Sequence, residues 1–139
     1  MDLVRFYACA GDTLSVAAKL LSKAQDRGEV VRVYGNGDSL QRLSDRLWLV
    51  PGFIAHATQS SSEAVLRRSR VQLGEEPQTS FPVDLVLNLG TDLKLEGLQA
   101  KRVFDVFGTE FEERQAARAR YRRCQAAGWL TEAVQVGGA

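Results

Sequence analysis

The sequence predicts an α/β protein: a mostly parallel sheet flanked by helices. Three observations predict it. The chain opens with an alternation of strand-like and helix-like segments over residues 1–49, the pattern of parallel strands joined by crossover helices. Two more apolar, β-branched runs follow, at 82–89 and 103–107. The second of these leads straight into a long amphipathic run at 109–130.

Residues 3–9, LVRFYAC, read as the first strand, and Gly11-Asp12 as a turn. Residues 13–27 place Leu14, Ala17, Ala18, Leu20, Leu21 and Ala24 at helical spacing, and Gly28 ends that helix. EVVRVY at 29–34 is the second strand. The glycine-rich loop at 35–39 follows, in which Asp38 or Ser39 can cap the helix at 40–49. Pro51-Gly52 breaks that helix, and Phe53-Ile54 starts a short strand. Residues 64–73 suit an edge strand through Val65, Val71 and Leu73, and 74–80 read as a surface loop. PVDLVLNL at 82–89 is a core strand, 93–98 a turn or short helix, and VFDVF at 103–107 the last strand. Residues 131–139 carry no assignable pattern and are open to being a flexible tail.

At 139 residues, 45% apolar and 25% charged, the chain suits one domain spanning 1–139 with one substantial core. A net charge of +1 argues against polyanion binding by bulk charge, so any such binding needs a local patch. Cys9 and Cys124, far apart, offer neither a disulfide framework nor zinc spacing, which suits a reducing cytoplasmic setting. No apolar run reaches membrane-spanning length.

The run TEFEERQAARARYRRCQAAGWL is the strongest functional candidate. Thr109 with Glu112 three residues on is a capping box, and acids fill the first turn. From Arg114 to Gly128 there is no acid, but five arginines: Arg114, Arg118, Arg120, Arg122 and Arg123. Ala116, Ala117, Cys124 and Ala127 share one face, with Tyr121 at its edge; Arg114, Arg118 and Arg122 share the opposite one. Not interleaved with acids, those guanidiniums suit carboxylate or phosphate capture. Arg120 falls within the apolar stripe, so it needs a carboxylate partner or must reach the rim.

Catalytic arrangements fare poorly. The Gly35-Asn36-Gly37 loop lacks the third glycine of a dinucleotide site, since position 40 is Leu40. Cys9 lacks an arginine six positions on, where Ser15 stands, and reads as a buried apolar residue. His56 is the sole histidine, which leaves no second one for catalysis or a His-rich metal site. Asp84 fits a strand edge better than a catalytic role. No cofactor is expected.

Several segments together resemble the chi subunit of bacterial DNA polymerase III. They are the FY strand with its following helix and VVRV strand; Leu47-Trp48 followed by Phe53, Ile54 and His56; the DLVLNL strand at 84–89; and the block Ala117, Arg118, Arg120, Tyr121, Arg122, Ala127, Gly128, Trp129. The resemblance covers nearly the whole chain, in order. It implies a Rossmann-like fold and a cytoplasmic, non-catalytic adaptor in the replisome. Such an adaptor binds the psi subunit of the clamp loader and captures the acidic C-terminal tail of single-stranded DNA-binding protein, which ends in Ile-Pro-Phe. It further implies that Arg114, Arg118, Tyr121 and Arg122 line the tail site with Phe107 as its apolar wall. Trp48 and Phe53 would dock psi or, in its place, a repair helicase. Arg114 and Arg122 stand where the family carries lysine, keeping charge with a different geometry. Two rival readings are a small α/β nucleotide-binding enzyme and a direct single-stranded nucleic acid binder. The missing motifs count against the first. A near-neutral chain without a base-stacking aromatic platform counts against the second.

Overall fold

A computed structural model describes residues 3–49, 57–58, 71–75, 83–92 and 100–136. Its elements run β1 (Leu3–Cys9), α1 (Thr13–Asp26), β2 (Val31–Tyr34), α2 (Gly37–Leu49), β3 (Ala57–Thr58), β4 (Val71–Gly74), β5 (Val83–Asn88), β6 (Ala100–Gly108), α3 (Phe111–Ala126) and β7 (Thr131–Val136). The seven strands form one sheet in the order β3-β4-β2-β5-β6-β1-β7, and every pairing is parallel. The fold is therefore the expected Rossmann-like α/β architecture. The expected strand at 53–54, most of the loop expected at 74–80 and the turn or short helix at 93–98 lie outside the described residues.

Two cores lie on the two sides of the sheet, because successive strand residues face opposite ways. On one side α1 and α2 bury Leu14, Leu21, Leu40, Leu43 and Leu47 against Tyr7, Val33, Leu85, Leu87 and Phe104. On the other, Val4, Phe6, Tyr34, Val86 and Val103 pack with Cys124 of α3, and Tyr121 and Trp129 close the edge. Helices thus cover both faces, as the alternating pattern predicts.

Local chemistry sets the helix ends. The Asp12 carboxylate accepts from the Leu14 amide at 3.0 Å and from the Ser15 hydroxyl at 3.1 Å, capping α1. Arg46 of α2 pairs with the same carboxylate, tying the two helices together. Burial pushes this carboxyl up, but Arg46, the Leu14 amide and Ser15 together hold it below the usual range. Its stabilising contribution is therefore present above about pH 4 and lost as pH falls through the lowered folded value. Asp12→Ala is expected to cost about 1 kcal/mol, the usual worth of an N-cap. Urea unfolding at pH 7 and pH 3 checks both claims: the difference between variant and parent should shrink at pH 3.

Both long helices end as expected, with Gly28 and Gly128 at φ of 69° and 82°, the left-handed region that suits a residue without a Cβ. The Trp129 amide donates back to the Cys124 carbonyl at 3.2 Å, closing the turn after α3.

Four expectations need correction. The α2 cap is Asn36, whose Oδ1 accepts from the Ser39 amide at 2.8 Å, rather than Asp38 or Ser39. Thr109 does not cap α3, because the helix begins at Phe111 and Glu110 holds the N-cap position without a side-chain hydrogen bond. Instead the Glu113 side chain reaches back past the N-cap and accepts from the Gly108 amide at 2.7 Å, which ties the first turn to the end of β6. β4 lies one place in from the edge, since the two-residue β3 pairs outside it. Finally, Thr131–Val136 is no tail: it is β7, paired along β1 from Val4↔Thr131 to Cys9↔Val136.

Candidate functional site

The arginines of α3 divide into two sets. Arg120 is 5% exposed and makes a two-pronged pair with Asp105 of β6, Nε to Oδ2 at 2.7 Å and Nη2 to Oδ1 at 2.9 Å. Asn88 of β5 donates to the same Oδ2 at 3.1 Å. Burial raises the Asp105 carboxyl above its usual range, against the pull of Arg120 and Asn88. The carboxylate partner that Arg120 required is therefore Asp105. Arg123 pairs with Asp92 at the surface. Arg114, Arg118 and Arg122 form the second set: all three are exposed, and none has an ion pair among the described residues.

The buried face of α3 differs from the expected one. Ala117, Arg120 and Cys124 are buried and Tyr121 half-buried, a strict i, i+3, i+4, i+7 seam, whereas Ala116 and Ala127 are exposed. Arg120, which already fell within the expected stripe, is held at the middle of this seam by its pair with Asp105. Burial, followed by the nearby Asp105 charge, pushes the Cys124 thiol up to about 11, and burial raises Cys9 as well. Neither has the low pKa of a reactive thiol.

Beside α3 lies an open hollow of about 730 Å³. Phe6, Phe107, Ala117 and Tyr121 give it apolar walls, and Arg114 and Arg118 stand on its helix side. Phe6 and Tyr121 meet edge to face, ring centroids 5.3 Å apart, which fixes the tyrosine ring in place. Four of the five residues singled out for a tail site, Phe107, Arg114, Arg118 and Tyr121, thus share one concavity. Arg122 does not line it; it lies one helical turn beyond Arg118 on the exposed face. Trp48 falls in the last turn of α2, and Phe53 lies outside the described residues.

Apolar walls beside two exposed guanidiniums suit a ligand that joins an apolar group to an anion. Among the described residues no group of three or more His, Cys, Asp or Glu side chains could hold a metal ion. The family model for the DNA polymerase III chi subunit, HolC, matches residues 1–132. The chain belongs to the DNA polymerase III chi subunit family. No curated protein matches it. As a member of that family it is an accessory protein of DNA replication. No helix among the described residues is long and apolar enough to cross a membrane.

Within this chi-family fold, sequence reasoning missed the rest of the hollow. Ala8 and Ala10 from the β1 end, Thr109 ahead of α3, and Ala133, Gln135 and Val136 from β7 complete its lining. The alanines among them add little bulk, which leaves the space open. The available signal was the run of small residues at Ala8 and Ala10, at the end of an otherwise bulky strand. It could not be interpreted without knowing that β7 lies next to β1.

Proposed function

We propose that this chain is a non-catalytic adaptor linking the clamp-loader complex of DNA polymerase III, through its psi subunit, to single-stranded DNA-binding protein. It does so by capturing that protein's acidic C-terminal tail. The observation that carries the proposal is the joining of two exposed arginines, Arg114 and Arg118, to the aromatic-walled hollow of Phe6, Phe107 and Tyr121. A peptide ending in acids and then Ile-Pro-Phe has matching chemistry: its carboxylates meet the guanidiniums and its last ring enters the hollow. Arg122, one turn outward, adds attraction at longer range. Calorimetric titration with an acidic Ile-Pro-Phe peptide, beside one in which the final Phe is Ala, tests the reading. Saturable binding that needs the terminal ring is expected; equal affinity for both peptides would leave only a charged surface.

Docking of psi, or of a repair helicase in its place, is assigned to Trp48 and Phe53. The basis is an aromatic pair flanking the Pro51-Gly52 break. Aromatic anchors dominate such interfaces, so Trp48→Ala is expected to weaken psi binding by about 2 kcal/mol or more. Binding of the tail peptide should be unaffected. A pull-down with purified psi, alongside the peptide titration, checks that separation; loss of both would mean a folding defect rather than a docking surface.

A further inference from the structure

We infer that a second anion site, for a phosphate group, lies on the opposite side of the sheet from the tail hollow. It is built from Arg5, Lys23, Arg27 and Arg102. These four cations line one small cavity of about 110 Å³ with a single carboxylate, Glu29. Arg5 and Arg102 come from the adjacent strands β1 and β6, whose parallel register sets Leu3 against Arg102 and Arg5 against Phe104. Lys23 and Arg27 come from the last turn and C-cap of α1. Three separate elements therefore bring cations to one concavity.

The acids at hand do not balance them. Glu29 is shared between Arg102 and Arg27, the latter at 3.7 Å, and Arg5 holds Glu132 of β7 at 2.8 Å. Four cations against two carboxylates leave two positive charges over. The guanidinium carbons of Arg5 and Arg102 both sit over the Phe104 ring, 5.4 Å and 5.5 Å from its centroid, so the ring fixes both forks. Burial pulls the Arg102 guanidinium below its ordinary range, and the closeness of Arg27 and Arg5 pulls it further. Covering Phe104 alone would not require like charges crowded in this way.

The shape favours phosphate over carboxylate. The cavity holds about the volume of three to four waters, which admits one phosphate group and little more. Donors converge from two strands and a helix end, which suits a tetrahedral anion with several acceptor oxygens better than a planar carboxylate with two. A phosphate also carries up to two negative charges, matching the excess. The group can belong to a small phosphate-bearing molecule or to the backbone of a nucleic acid single strand.

The test is a titration of the full chain, followed by amide chemical shifts, with inorganic phosphate in one arm and oligothymidylate in the other. Saturable shifts at Arg5, Lys23 and Arg102 are expected in at least one arm. Binding of phosphate alone identifies a small phosphate-bearing ligand, and binding of the oligonucleotide identifies a backbone phosphate. In the latter case affinity should fall only shallowly with salt, with a slope of about −0.7, as one neutralised phosphate requires. Arg5→Gln and Arg102→Gln should each weaken binding about tenfold, the worth of one charge-assisted contact. Lys23→Gln, on the exposed side of α1, gives the same test should a strand variant fail to fold. Arg118→Ala should change nothing here, so this site and the tail hollow fail independently. No shifts in either arm, affinities unaltered by Arg102→Gln and Lys23→Gln, or displacement by an acidic peptide would each overturn the assignment.

Discussion

Arg120→Ala is expected to destabilise the fold by about 3–5 kcal/mol, the cost of stranding one member of a buried ion pair. Asp105 is 3% exposed and would be left with only Asn88 as a side-chain partner at 3.1 Å. The Gly90 carbonyl, at 3.5 Å from Arg120, would lose that contact too. The loss is large because the charge cannot reach water: β6 lies inside the sheet and α3 covers it. Replacing both partners, Asp105→Leu with Arg120→Met, should cost clearly less than Arg120→Ala alone, since no charge then remains buried. Urea unfolding of the two variants decides it. A double variant at least as unstable as the single one would show that packing, not charge burial, dominates here.

Arg118→Ala should act in the opposite manner, leaving stability unchanged and weakening tail-peptide binding by about 1.5–3 kcal/mol, roughly ten- to a hundredfold. Arg118 is exposed, without an ion pair among the described residues, and lines the hollow together with Arg114 one turn before it. Arg118→Glu should be worse, because repulsion of the acidic tail adds to the lost contact. Arg122→Ala should cost less, since its side chain stands outside the hollow, and its effect should fade most with added salt. Calorimetry on the folded variants is the measurement. Equal peptide affinity for parent and Arg118→Ala would reduce the stripe to a solvated helix face.

These two arginines, two positions apart on one helix, explain what could be read before folding. Their charge, their lack of neighbouring acids and their different helical phases are all properties of the local sequence. Phase alone was enough to separate Arg120 from the exposed stripe and to require a carboxylate for it. The identity of that carboxylate was not legible, because Asp105 meets Arg120 only when α3 folds back over β6.

The same division runs through the whole chain. Periodicity and turn chemistry acting over a few residues determined the α/β class, the three helices among the described residues and the glycine stops at Gly28 and Gly128. They also marked the arginine stripe that forms one side of the candidate site. Local signals failed at two helix starts: the N-cap of α3 is Glu110 rather than Thr109, and that of α2 is Asn36 rather than Asp38 or Ser39, each placed by where the preceding strand ends. Only the tertiary structure decided that Thr131–Val136 is a strand, because its six residues gain their order from pairing with β1, far away in sequence. That one long-range pairing also supplies Ala133, Gln135 and Val136, and so turns a basic helix face into a hollow with an apolar base. Strand order is set by which apolar surfaces meet across the whole sheet, and no window of sequence contains that information.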